Sequence, residues 1–422
     1  MTGRAASDMT SELIRIFGRI GLLSFGGPAA QIALMHKELV EDRDWLTEDQ
    51  YLRALSFCML LPGPEAMQLA TYAGWKRAGI TGGLIGGGLF VLPGAIIIGL
   101  LALAYGTYGN LPMAQAIFLG VKATVVIIVI EALIKIAKRA LKSRAHLLIA
   151  AGGFVALFFF ALPFPLVILI AAGCGAWLAR NDTPTMPTTT TTHHNSLIII
   201  TIGAAIWAAP FAFILLSDST FLRDVGLFFS TLAVVTFGGA YAVLAYMTQE
   251  VVVGYGWLTT PQMMDALGLA ETTPGPLILV TQFVGMVAGL AQGGVILGLV
   301  AGALTLWVTF VPCFIWIFAG APLIDWLDGR PGLRGALAGI TASVVGVIAN
   351  LSAWFALHLF FATVSAVQVG PIQSIWPDIT TIQPTAVGLA LITGILLLWR
   401  HWSLPLVLLI SASLSLLLTF AT

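Results

Sequence analysis

Residues 25–64 return at 237–276. The offset is 212, no gap is needed, and 17 of the 40 positions are identical. Phe25-Gly26-Gly27 reappears as Phe237-Gly238-Gly239, Trp45-Leu46-Thr47 as Trp257-Leu258-Thr259, and Pro62-Gly63-Pro64 as Pro274-Gly275-Pro276. Further on the offset is 219. Pro93 then matches Pro312, Gly120 matches Gly339, and Val125-Val126 match Val344-Val345. Shared hydrophobicity cannot place Pro, Gly and Trp in one register. The chain is an internal duplication, and both halves must fold to one plan. The halves are 1–179 and 197–422. The tract 180–196 between them is polar, Pro-containing and Thr-rich, and reads as a flexible linker.

Composition decides what the plan can be. Apolar residues make up 59% of the chain and charged residues 9%, against about 25% charged in a soluble domain. So few charges cannot cover a soluble protein of this size. A soluble enzyme, a disordered chain and a nucleic-acid partner are all excluded, and the expected partner is the lipid bilayer. Apolar runs fall near 14–35, 52–75, 83–105, 113–134, 147–161 and 164–179, then 197–216, 225–247, 262–290, 293–319, 335–363 and 386–420. The last reads as two segments around Trp399-Arg400-His401-Trp402. The expected fold is an all-α integral membrane protein of two homologous helical repeats. It has about 10 to 13 transmembrane segments, some broken or re-entrant. The stretch from Ser11 to Leu23 reads as an amphipathic helix capped by Thr10 or Ser11. Glu12, Arg15 and Arg19 interrupt it too often for a signal peptide.

Net charge is zero, but its distribution is uneven. Up to Asp182 there are 15 Lys/Arg and 11 Asp/Glu; from His193 onward there are 4 and 8. The loop 135–146 holds Lys135, Lys138, Arg139, Lys142 and Arg144, which places it in the cytoplasm. Its counterpart near 354–384 has no Lys or Arg. The loop 36–53 has three, and its counterpart 248–265 has none. Equivalent loops of opposite bias predict repeats of inverted topology. Cys58, Cys174 and Cys313 lie far apart in apolar runs and read as free thiols. The histidines show no metal-binding spacing. No GxxxxGK[ST], GxSxG or HExxH motif occurs, so neither an enzyme nor ATP-driven transport is expected, and no cofactor.

The repeated elements are the candidate site. Gly26-Gly27-Pro28 and Gly238-Gly239 interrupt membrane helices and free backbone N–H groups. A helix starting after such a break points its positive end into the gap, which suits an anion. Pro62-Gly63-Pro64 and Pro274-Gly275-Pro276 each stop one helix and start another, leading into Glu65 and Leu277. Broken helices at matching positions of two repeats are the best sequence pointer to a transporter's central site. Thr47 with Gln50, and Thr259 with Gln262, form capping boxes that fix where the preceding helix starts. Lys122 lies within an apolar run, where a cation is costly and functional by default; snorkelling to the interface is the alternative. Its counterpart is Thr341. Glu65, Gln68, Glu131, Glu271 and Gln282 lie on or beside these helices. Lys76 and Arg77 could guard an anion's approach.

These motifs together resemble the chromate ion transporter family in its long, two-domain form. The resemblance rests on Phe-Gly-Gly-Pro near the first span, the Trp-Leu-Thr helix start, Pro-Gly-Pro with Gln68 after it, and both motifs again in the second half. It covers nearly the whole chain outside the linker and termini. It implies a multi-pass protein of the cell inner membrane that moves chromate, usually outward, and confers chromate resistance. Sulfate has the same charge and tetrahedral shape, so a sulfate or other oxyanion permease or exchanger is the alternative, and an anion channel is another. Departures are Ala240 in place of Pro28 and Leu277 in place of Glu65, so the halves are not expected to bind alike. The expected anion-contacting set is Lys122, Gly26, Gly27, Pro62, Gly63, Pro64, Glu65, Gln68, Gly238, Gly239, Pro274, Gly275 and Pro276. Lys122 would supply charge, the glycines backbone donors, and Glu65 a gate or a site for a coupling proton. A homodimer stays open.

Overall fold

The structure, a computed structural model, describes residues 3–181, 194–235, 237, 239–321, 330–370 and 372–421. Residues 182–193 of the linker and Gly238 of the candidate site lie outside the described residues. The described chain is helical apart from one small two-stranded sheet.

Helix α1 (Gly3–Leu23) is amphipathic. Leu13, Ile16, Phe17 and Ile20 are buried at i, i+3, i+4 and i+7, while Glu12, Arg15 and Arg19 are exposed. It begins earlier than expected, so Thr10 and Ser11 lie inside it and do not cap it. Ala5, Ala6 and Met9 favour helix strongly enough to carry it back past them. The apolar run 14–35 is not one span. It breaks at Ser24–Gly26, and α2 (Gly27–His36) follows, continued by a π-helical turn at Lys37–Glu41. Helix α3 (Glu48–Leu60) starts at the predicted capping box: Gln50 N donates to Thr47 Oγ1 at 3.2 Å and Thr47 N to Gln50 Oε1 at 3.2 Å.

Helix α4 (Glu65–Tyr108) is far longer than a membrane crossing, and its backbone explains why. Ala78 and Gly79 leave the helical region, Gly79 with φ 61°. A Cβ on Gly82 would run into the Gly74 carbonyl, and one on Gly86 into the Ala70 carbonyl. Contacts paired this way about residue 78 mean that the two arms fold back on each other as a hairpin. The glycines let the backbones touch.

The next helices are α5 (Pro112–Ala140), α6 (Arg144–Phe158) and α7 (Phe164–Leu178). Beyond the linker come α8 (His194–Ser217), α9 (Thr220–Val235), α10 (Ala240–Thr248) with a π-helical extension Gln249–Gly254, and α11 (Thr260–Thr272). The capping box at Thr259 and Gln262 forms as well. Helix α12 (Val280–Gly320) repeats the hairpin, with its break at Gly293–Gly294. Then come α13 (Pro331–Phe360), strands β1 (Val364–Val369) and β2 (Ile372–Pro377), α14 (Pro384–Gly394) and α15 (Leu404–Ala421). The two short segments expected in 386–420 are present. The stretch near 354–384, which has no Lys or Arg, contains the antiparallel hairpin β1–β2, with Val364 opposite Pro377 and Val369 opposite Ile372.

By contact the chain forms two compact units, and each draws on both halves. The first holds α1–α4, α8, α9 and α12. The second holds α5–α7, α10, α13–α15, the strands, and α11 as far as Gly268. The duplication is visible in the backbone itself. Trp45 N bonds to Leu39 O and Trp257 N to Val251 O, each at 2.9 Å.

Candidate functional site

The first unit gathers the repeated turns. Glycine is needed in them: φ is 84° at Gly26, 77° at Gly27, 110° at Gly63, 94° at Gly239 and 90° at Gly275. These left-handed values suit a residue without Cβ. The turns of one repeat meet those of the other. Gly275 N donates to Ser24 O at 3.0 Å, and Gln31 Nε2 donates to Gly275 O at 2.7 Å and to Ser24 O at 3.2 Å. The Phe-Gly-Gly-Pro turn of the first repeat is thus tied to the Pro-Gly-Pro turn of the second. The reciprocal neighbours are Gly239 and Glu65, whose carboxylate oxygens lie 3.7 Å from where a Gly239 Cβ would sit.

Each Pro-Gly-Pro turn also seats against the second arm of the other repeat's hairpin. Gly94 leaves room for the Pro274 carbonyl, where a Cβ would collide. At the matching place, Cys313 Sγ lies 2.8 Å from the position a Cβ on Gly63 would take. Residues 62–64 and 274–276 are buried, Glu65, Gly27 and Gly239 half-buried, and Gly26 exposed. Gln68 is fully buried on the first turn of α4, with Nε2 donating to Pro62 O at 2.7 Å and Oε1 unpaired. Gln282 likewise donates to Ala95 O at 3.0 Å. Glu65 opens α4, and the first-turn N–H groups of a helix lack partners within it.

Lys122 belongs to the second unit. It is buried, and its Nζ lies 3.4 Å from Asp265 Oδ1; the side chains are 11% and 1% exposed. The helix that carries it is clamped to α15. Ser411 Oγ donates to Gly120 O at 2.8 Å and Ser415 Oγ to Ala116 O at 2.6 Å. The sequence reading named Lys122 and missed Asp265. An aspartate near the middle of α11, six residues from Glu271, gives no periodic signal, and its counterpart by register is Arg53. Glu131 pairs with the exposed Lys135 at 2.6 Å.

Basic residues gather near α1 and the first π-helical turn. The buried Glu38 pairs with Arg19 at 3.5 Å and Arg43 at 2.5 Å, and the Arg77 guanidinium lies 5.4 Å from the Trp45 ring centre. At the matching place in the second repeat, Tyr255 stacks on Trp257 at 4.3 Å. The matched positions Arg43 and Tyr255 thus carry different side chains with different partners.

The first unit thus holds matched helix breaks and glycine-lined hairpins, and the second holds a buried ion pair. The chain matches the description "Chromate transporter" over residues 11–176 and 223–416. It belongs to the chromate transporter family. The chromate transport protein of Cupriavidus metallidurans is 31% identical over 340 residues, 80% of each chain. That of Pseudomonas aeruginosa is 30% identical over 362 residues, 81% of this chain and 82% of its own. An uncharacterized transporter of Methanocaldococcus jannaschii is 27% identical over 349 residues, 81% and 83%. No solved structure matches. The two matched regions flank the linker, so both repeats are chromate-transporter repeats, and the chain is a multi-pass membrane protein of a transporter family.

Proposed function

We propose that the protein exports chromate across the cell inner membrane as a secondary transporter and so confers chromate resistance. The observation that carries this reading is the family match through both repeats, with relatives named as chromate transport proteins over four-fifths of the chain. Direction follows from electrostatics. An outward-moving dianion gains about 4.6 kcal/mol per 100 mV of inside-negative potential, twice the single-charge value. Export then needs no ATP. The hard step is desolvation, which costs tens of kcal/mol if uncompensated.

In this reading the compensating groups in the first unit are the N–H groups at the turns around Gly26, Gly27, Gly63 and Gly239, with Glu65 as a gate. In the second unit they are the ammonium of Lys122. Gly275 contributes by position, since its N–H is donated to Ser24. Inverted topology is part of the proposal. Support comes from the opposite charge bias of equivalent loops and from the reciprocal pairing of each repeat's turns with the other's. The test is radiolabelled chromate flux in everted vesicles, with an imposed potential and with excess sulfate. Accumulation driven by an inside-positive potential and competed by sulfate is expected. Absence of flux above empty vesicles, with folded protein present, would refute chromate export.

A further inference from the structure

The Lys122–Asp265 pair has three properties that a scaffold contact does not need. It is deeply buried on both sides. It is brought together by a dedicated close approach: Gly268, one turn beyond Asp265 on α11, leaves the space that Val121 of α5 fills, and a Cβ there would collide with it. And it is absent from the other copy of the duplication, where Thr341 stands for Lys122 and Arg53 for Asp265. Thr341 satisfies its hydroxyl on Leu337 O of its own helix at 2.8 Å. Arg53 is an exposed surface partner of Asp49. Neither register counterpart takes part in a buried ion pair.

Burying two charges carries a desolvation penalty that well-packed apolar residues avoid, so stability alone does not favour the pair. Removing one member, by contrast, strands the other in a medium that cannot solvate it. A transporter that uses Lys122 to hold an anion faces this problem in every empty cycle. A carboxylate is itself an oxyanion, and here it is tethered within reach of the ammonium.

We propose that Asp265 is a built-in stand-in for the transported oxyanion: it neutralises Lys122 when no substrate is bound and yields the ammonium when the dianion arrives. This rests on the reading of Lys122 as an anion contact. Binding then exchanges one ion pair for another, and release is assisted by the returning carboxylate. Asp265 is a positioning residue that sets affinity by competition.

The test is chromate flux against concentration in proteoliposomes, for the wild type, Asp265→Asn, Asp265→Ser, Asp265→Glu and Lys122→Gln. Folding is checked by gel filtration and thermal melting. Losing the competing charge should lower KM about tenfold in Asp265→Asn and Asp265→Ser, a modest share of what a close charge pair is worth. The same change should slow kcat, because release loses its assistance. Asp265→Glu keeps the charge and should stay near the wild-type KM. Folded neutral variants with an unchanged KM would overturn the stand-in role. So would failure of both neutral variants to fold when combined with Lys122→Gln, since that would make the pair a folding element. Saturable flux in Lys122→Gln at the wild-type KM would instead refute Lys122 as an anion contact. A wild type without chromate flux would refute the function before the pair was tested.

Discussion

At the scale of single residues, the turns rest on glycines held at positive φ. Gly275 is buried at φ 90°, with Leu279 Cδ1 3.1 Å, Phe90 O 3.4 Å and Gly94 Cα 3.5 Å from where a Cβ would sit. An L-residue with a side chain there costs about 1–2 kcal/mol in backbone conformation alone. Gly275→Ala should lower the melting temperature of the detergent-solubilised protein and loosen the bond to Ser24; an unchanged melt would show the turn to be soft. A second residue-scale prediction concerns pH. The hydrogen bond between His36 Nε2 and Glu48, at 2.6 Å, holds the imidazole above its ordinary value of 6.5; burial works against it, and Glu41 on the other ring nitrogen adds to it. A base whose pKa is raised on folding stabilises fully below its unfolded value, and loses that contribution as pH rises through the folded one. The stability gap between wild type and His36→Gln should thus be constant below about pH 6.5 and shrink at higher pH. A gap independent of pH would mean that the imidazole is not charged there.

At the scale of elements, the two hairpins explain why the register of the duplication slips. The offset is 212 at the Pro-Gly-Pro turns, 215 at the breaks Gly79 and Gly294, and 219 at Pro93 and Pro312. The second repeat therefore carries three extra residues in one arm and four in the other. Each insertion is close to one turn of 3.6 residues, so both arms lengthen together and keep their faces in phase. Arm contact is a glycine property. Gly82→Ala would drive a methyl group into the Gly74 carbonyl and should cost about 1–3 kcal/mol. Gly88→Ala, on the same arm, meets nothing within 4 Å and should be tolerated. Thermal melts of the two variants side by side decide the matter; equal losses would mean that the arms do not pack through this stripe.

At the scale of the whole molecule, the prediction is electrogenic flux. A dianion moved alone should change its equilibrium accumulation about 100-fold for each 60 mV, from the energy of two charges in the membrane field. One proton moving with it would reduce the change to about tenfold. Potentials clamped with potassium and valinomycin in proteoliposomes would read the slope, and a flux indifferent to potential would contradict export by the field.

The sequence by itself determined the duplication, the membrane class, the amphipathic α1, both capping boxes and the turn motifs. These are local or periodic properties: glycine and proline act on their own backbone, and a 3.6-residue stripe is written in consecutive positions. Only the tertiary structure decided what meets what. That the second repeat's Pro-Gly-Pro turn seats against the first repeat's hairpin depends on Gly94 opposite Pro274, residues 180 positions apart in the chain. That Lys122 faces Asp265 depends on the missing side chain of Gly268. The bilayer makes apolar positions alike and removes the contrast between buried and exposed that patterning relies on. The partners of buried polar groups are then fixed by close packing between distant segments, and no periodicity records it.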